Sequence, residues 1–83
     1  MSWFCYLLRC ADDTLYCGIT NDLDKRLAAH NAGTASKYTR TRLPVKLAYV
    51  ESRIGRSAAS KREMEIKKLP RVKKLELVRL TLR

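Results

Sequence analysis

Two phenols, a guanidinium, an imidazole and a carboxylate are the side chains of this 83-residue chain whose types and order suit chemistry on a phosphate. Tyr6 and Tyr16 lie in CYLLRCADDTLYCGIT, residues 5–20, and Gly18 interrupts the apolar run that carries the second of them. Arg26 and His30 follow, four residues apart, in DLDKRLAAHN, and Glu63 lies in SAASKREMEIKKL. Phosphodiester hydrolysis needs a group that takes a proton from water, positive charge on the phosphoryl oxygens and a cation at the leaving oxygen. Tyrosine, arginine and a glutamate-held Mg²⁺ supply these in turn. The sequence holds no cluster of carboxylates, which argues against two protein-held metals; one carboxylate suits a single Mg²⁺ that keeps several waters.

These groups work together only if the elements bring them to one place. Residues 3–9 and 15–20 read as strands, rich in aromatic and apolar side chains. A two-residue Asp12-Asp13 loop would put the two tyrosines on opposite faces. A three-residue loop, Ala11 to Asp13, pairs Leu8 with Tyr16 and Tyr6 with Gly18, so the phenols share a face and Gly18 leaves space beside Tyr6. Asp13 then takes the left-handed position that closes such loops. In TNDLDKRLAAHNAG, Thr20 or Asn21 caps a helix, Asp22 and Asp24 complement its positive end, and Gly33 ends it. Leu23 and Leu27 form its buried stripe, with Arg26 and His30 on one edge of it. Residues 34–44 read as a basic loop. Residues 45–51 form a third strand in which Val45, Leu47 and Tyr49 alternate with Lys46 and Ala48. Ser57 to Leu69 is helical, Pro70 breaks the chain, and a last helix from about Arg71 to Leu80 carries Val72, Leu75 and Val78. The class is α+β: a small, three-stranded, mainly antiparallel sheet flanked by helices, in the order β-β-α-β-α-α, forming one domain over residues 1–83.

The formal charge is +10, and it is unevenly placed. Residues 1–33 carry three basic and four acidic side chains; residues 34–83 carry fifteen and four. That asymmetry points to a polyanionic partner, nucleic acid above all. No run approaches the length needed to cross a bilayer, and no signal-peptide pattern opens the chain, so the expected location is cytoplasmic, away from membranes. Cys5, Cys10 and Cys17 lack metal-ligand spacing and read as reduced thiols packed in or near the core.

FCY, YCG, NDLDKRLAAHN and AASKRE, in this order and spacing, resemble the GIY-YIG nuclease superfamily, in particular its small stand-alone bacterial members. The likeness runs from about Trp3 to Leu80, with Phe4 in place of the first name-giving glycine and Cys17 in place of an isoleucine. It implies a metal-dependent endonuclease acting on DNA in preference to RNA, with a place in repair or recombination. It also implies catalytic roles for Tyr6, Tyr16, Arg26, His30 and Glu63. In this family a motif tyrosine serves as general base. The resemblance leaves both tyrosines open for that role; Tyr16 is the preferred base, with Tyr6 positioning water. Arg26 stabilises the phosphoryl transition state, His30 orients the phosphate or relays a proton, and Glu63 holds Mg²⁺ or Mn²⁺. Lys37, Tyr38, Arg40, Arg42 and Lys46 are expected to flank the site and hold the phosphate backbone. Family nucleases are usually directed by attached domains, so a partner protein for targeting is expected.

Each residue also has a plainer reading. The tyrosines pack across strands, Arg26 pairs Asp22, His30 caps a helix end, and Glu63 closes a capping box with Ser60 or pairs Lys67. The alternative function is a nucleic-acid-binding module of the same fold that does not catalyse.

Overall fold

The computed structural model describes residues 2–81. Its elements are β1 (Ser2–Arg9), β2 (Leu15–Thr20), α1 (Leu23–Asn31), α2 (Lys37–Arg40), β3 (Lys46–Ile54), α3 (Arg56–Lys68) and α4 (Arg71–Thr81). The strands form one antiparallel sheet in the order β2-β1-β3. The expected α+β order stands, with α2 added as a four-residue helical turn where the pattern predicts plain loop. Ser36 builds that turn by accepting a hydrogen bond from the Tyr38 N–H on its side-chain oxygen.

The hairpin loop fixes the register. Cys10 N–H donates to the Thr14 carbonyl at 2.9 Å, and Asp13 adopts a left-handed φ of 69°. Asp12 accepts from the Thr14 hydroxyl at 2.6 Å, which stiffens the loop. The three-residue loop therefore pairs Tyr6 with Gly18 and Leu8 with Tyr16.

Even-numbered β1 residues face α1: Tyr6, Leu8 and Cys10 pack with Tyr16, Leu23, Leu27 and Val45. Odd-numbered ones face α3 and α4: Cys5 and Leu7 pack with Cys17, Ile66 and Val78. All three thiols are buried. A bulge shifts β3 by one residue, so Leu7 lies opposite Tyr49 while Leu8 lies opposite Leu47. Ala48 is the extra residue, and it puts Leu47 and Tyr49 on different faces. The simple Val45–Leu47–Tyr49 alternation expected from sequence fails for that reason. On α4, Val78 is buried but Val72 is 61% exposed, so the stripe turns away from the expected Val72–Leu75–Val78 line.

Asp22 caps α1, accepting from Lys25 N–H at 3.1 Å, in place of the expected Thr20 or Asn21. Thr20 supports the cap by accepting from Asp22 N–H. Gly33 follows the helix at φ 79°, as its end signal predicts. At that end the Asn31 side-chain amide donates to the Val45 carbonyl and accepts from the Val45 N–H, at 3.1 and 2.8 Å. This two-point bond ties α1 to the start of β3 and holds the neighbouring His30 over the sheet.

Candidate active site

On the α1 face the core turns polar. Tyr6, His30 and Thr39 are 2%, 0% and 0% exposed. Their polar atoms join end to end. The Tyr6 hydroxyl lies 3.0 Å from His30 Nε2, and His30 Nδ1 lies 2.9 Å from the Thr39 hydroxyl. Among the described residues every buried side-chain nitrogen and oxygen has a partner, as burial requires.

Gly18 has a different task from the one its spacing suggests. A Cβ at this position would lie 2.5 Å from the Tyr6 hydroxyl oxygen and 2.7 Å from Cζ. The space beside Tyr6 is filled by its own ring, which lies across Gly18 to reach His30. It is not vacant room for a phosphate.

Tyr16, half-buried, meets the His30 ring edge-on, at 5.4 Å between centroids. Its other side stacks on Tyr38 at 5.7 Å and 26°, and the Arg42 guanidinium covers Tyr38 at 3.9 Å. Arg26 is exposed at the rim and lies close enough to act on both buried groups. Burial raises the Tyr6 pKa above that of a free phenol, and the Arg26 guanidinium beside it offsets part of the rise. Burial, and then the Arg26 charge, lowers the His30 pKa, so the imidazole is neutral at pH 7. Tyr6 and Arg26 both line a cavity of about 30 Å³, large enough for a water molecule. A wider groove of about 240 Å³, lined by Thr20, Asn21, Lys25 and Arg26, opens at the end of β2.

The structure thus brings Tyr6, Tyr16, Arg26 and His30 together. His30 is a buried hydrogen-bond partner in this cluster, not a helix-end cation, and Arg26 forms no ion pair with Asp22 among the described residues. Glu63 stands elsewhere. It lies on α3 between the buried Ala59 and Ile66, on the opposite face of the sheet, near the Cys17 thiol. The pKa of that thiol is raised by its bond with the Cys5 thiol, by burial and, to a smaller extent, by the Glu63 charge. Tyr16 and Cys17 belong to the edge strand β2 and Tyr6 to the central β1, so Glu63 approaches β2 from the face opposite the phenols. The capping-box reading of Glu63 fails, because α3 begins at Arg56 and Ser60–Glu63 falls in its interior. The pairing with Lys67 is present at 3.6 Å. Glu65 instead meets Arg62 at 3.2 Å.

The five candidate nucleic-acid contacts divide. Lys37 and Arg40 are exposed on α2, beside the Tyr16–Tyr38 stack. Arg42 is committed internally: its Nε donates to Asp12 at 2.9 Å and one terminal nitrogen donates to the Tyr38 carbonyl at 2.8 Å. The Thr14 hydroxyl, followed by Arg42, holds the Asp12 carboxyl below its usual range. Lys46 projects from β3, on the far edge of the sheet from β2.

Sequence reading missed Thr39, Asn31 and the Asp12–Arg42 pair. It also missed Glu51 on the α3 face, whose side chain accepts from Arg62 at 2.5 Å, from Arg53 at 2.8 Å and from the Tyr49 hydroxyl. Burial opposes its charge, yet these partners hold Glu51 below the usual carboxylate range. The bonds of Thr39 to His30, Asn31 to Val45, Asp12 to Arg42 and Glu51 to Arg62 join residues nine or more apart, and no local spacing signals them.

The sequence matches the GIY-YIG catalytic domain over residues 2–76. It is 51% identical over 75 residues to a UPF0213 protein of Natronomonas pharaonis, covering 90% of this chain and 88% of that one. A UPF0213 protein of Clostridium perfringens is also 51% identical over 75 residues, covering 90% and 81%. Among solved structures, the solution NMR structure of an E. faecalis protein superposes with a TM-score of 0.64 at 38% identity, covering 100% of this chain and 90% of that one. That of the UPF0213 protein BH0048 from Bacillus halodurans gives 0.61 at 39%, covering 96% and 85%.

Proposed function

The chain belongs to the GIY-YIG family, and from that premise we propose that it is an endonuclease that hydrolyses phosphodiester bonds in DNA. The observation that carries this reading is the buried bond between Tyr6 and a neutral His30, with Arg26 beside both. A phenol with a free pKa near ~10 is a poor base alone at neutral pH. Bonded to an imidazole, it can pass its own proton on as it takes one from water. This supports Tyr6 as the proton acceptor, in place of Tyr16, the base preferred on the family resemblance. Tyr16 then forms the wall that holds His30 edge-on. Hydroxide attacks phosphorus, the bond to the leaving oxygen breaks, and that oxygen takes up a proton from solvent. Arg26 bears on the phosphoryl oxygens as their charge grows.

Glu63 is the residue that would hold a divalent ion. It is half-buried, its single partner is an exposed lysine, and among the described residues no group of three or more acidic, histidine or cysteine side chains forms a closed metal cage. Such a site fits an ion that keeps most of its waters, Mg²⁺ or Mn²⁺. When bound, the ion supplies positive charge at the leaving oxygen. Lys37 and Arg40 would hold the strand beside the edge of β2. We place the activity in the cytoplasm, in repair or recombination, with a partner protein supplying the target.

The test compares Glu63→Gln with Glu65→Gln. The first removes the anionic ligand and is expected to abolish metal-dependent cleavage, while stability falls by no more than the ~0.5 kcal/mol of an exposed i,i+4 pair. The second should cleave normally. Equal cleavage by both variants would remove Glu63 as the ion's ligand, loss only in Glu65→Gln would show that the other carboxylate holds the ion, and a wild type that binds without cleaving would favour the non-catalytic binding module.

A further inference from the structure

We propose that Thr39 is a positioning residue that sets the tautomer of His30, leaving Nε2 unprotonated and facing Tyr6. The inference rests on the reading of Tyr6 and His30 as the proton-accepting pair, and it adds the group that keeps the pair facing the right way.

A neutral imidazole has one donor nitrogen and one acceptor nitrogen, and its neighbours decide which is which. The Thr39 hydroxyl lies 2.9 Å from His30 Nδ1 and 3.4 Å from the Ser36 carbonyl oxygen. A carbonyl only accepts, so a hydroxyl proton directed to Ser36 leaves the Thr39 oxygen to accept from Nδ1–H. Nε2 then carries the lone pair, and the Tyr6 hydroxyl donates to it at 3.0 Å. The chain runs one way, from Tyr6 through His30 and Thr39 to the Ser36 carbonyl.

Reversing it fails at the Tyr6 end. With Nε2 protonated, Tyr6 would receive a hydrogen bond, and its own proton would need another acceptor. The protein group beside it is the Arg26 guanidinium, which only donates, so that proton would be left to water in the adjoining cavity. Giving up a buried protein acceptor for cavity water disfavours the reversed arrangement, whereas the first gives every proton in the chain a protein acceptor.

The α2 turn holds Thr39 in place. Ser36 caps the turn, and Arg42 N–H donates to the Thr39 carbonyl at 2.9 Å. When Tyr6 passes its proton to Nε2, Nδ1–H stays on Thr39 and the ring need not rotate. The short turn between Gly33 and β3, otherwise a plain connection, thereby reaches into the catalytic centre.

The experiment is ¹⁵N NMR of the imidazole, which reads the tautomer without any substrate. His30 is the chain's one histidine, so its signals are unambiguous. The wild type should show protonated Nδ1 and bare Nε2 at neutral pH, and Thr39→Ser should keep that pattern. Thr39→Val, which keeps the shape and removes the hydroxyl, should lose the single tautomer. Its cleavage should fall about tenfold or more, up to the 10²–10⁴-fold that a positioned base contributes in full, with nucleic-acid affinity unchanged. A wild-type ring protonated on Nε2 overturns the proposal, as does an unchanged tautomer in Thr39→Val. If Thr39→Val proves too unstable to study, the wild-type and Thr39→Ser spectra still decide the assignment. A lost tautomer with undiminished cleavage would instead overturn the role given to Tyr6 and His30, while leaving Thr39 as the residue that orients the ring.

Discussion

The two faces of the sheet solve the same packing problem with different materials. On the α3 and α4 face, Cys5, Leu7, Cys17, Ile66 and Val78 close an apolar layer, and charge is kept to its margin, where Glu51 meets Arg62 and Arg53. On the α1 face Tyr6, His30 and Thr39 are buried beside Leu8 and joined by hydrogen bonds. Hydrogen bonds of this kind add only about 1 kcal/mol each to stability, less than a well-packed aliphatic side chain of the same size. A fold under no other demand would repeat the apolar solution. That the buried polar chain leads to the rim, beside Arg26 and a water-sized cavity, ties it to chemistry more than to stability.

This contrast can be broken by substitution on each face. Ile66→Ala, fully buried on the apolar face, should cost about 2–5 kcal/mol and lower the melting temperature, leaving the cleavage rate of folded protein nearly unchanged. Gly18→Ala on the polar face should cost less, about 1–3 kcal/mol, because the new methyl must push the Tyr6 ring aside. It should nonetheless depress cleavage more than Ile66→Ala does, since it moves the phenol off His30. Denaturant melts alongside cleavage rates check both. Equal loss of activity in the two variants would show that the faces are not specialised.

A smaller effect separates the cations of the α2 turn. Arg40→Gln should weaken nucleic-acid binding regardless of sequence and make log K less steep in log salt by ~1 per lost contact. Arg42→Gln should leave the slope unchanged, because its guanidinium is already committed to Asp12 and Tyr38. Binding titrations across salt concentrations distinguish them, and a flattened slope for Arg42→Gln would return it to the binding surface.

The smallest effect is the dependence of stability on pH. The folded His30 pKa lies below its free value of 6.5, so folding favours the neutral ring. The stabilisation is fully present above pH 6.5, where both states are neutral, and declines as pH falls from there toward the lower folded value, because only the unfolded chain then takes up the proton. His30→Gln should flatten stability over that window in urea melts at a series of pH values. An unaltered profile would mean that burial does not disfavour the charged ring.

Much of this was legible locally. Loop length alone paired Tyr6 with Gly18, and cap and glycine signals outlined α1 to within a residue or two. The bulge at Ala48 was not legible, since nothing in VKLAYVE marks an extra residue. The open space that Gly18 suggests beside Tyr6 is taken by the Tyr6 ring itself, whose position depends on His30 across the fold. The Tyr6–His30–Thr39 chain joins a strand, a helix and a turn, and Thr39 sits within a basic segment whose composition points only outward to solvent. Spacing finds residues that share an element. It does not find the partners that a buried polar atom acquires from another one.

The central claim is that the polar face performs hydrolysis through Tyr6. Its most direct test is the rate of Mg²⁺-dependent cleavage by wild type and Tyr6→Phe over a panel of branched, single-stranded and duplex DNA and RNA. The account predicts that wild type cleaves a DNA member of the panel and that Tyr6→Phe, folded and binding equally well, is slower by about 10²–10⁴-fold. Cleavage by Tyr6→Phe at the wild-type rate, or a wild type silent on every substrate, would contradict it.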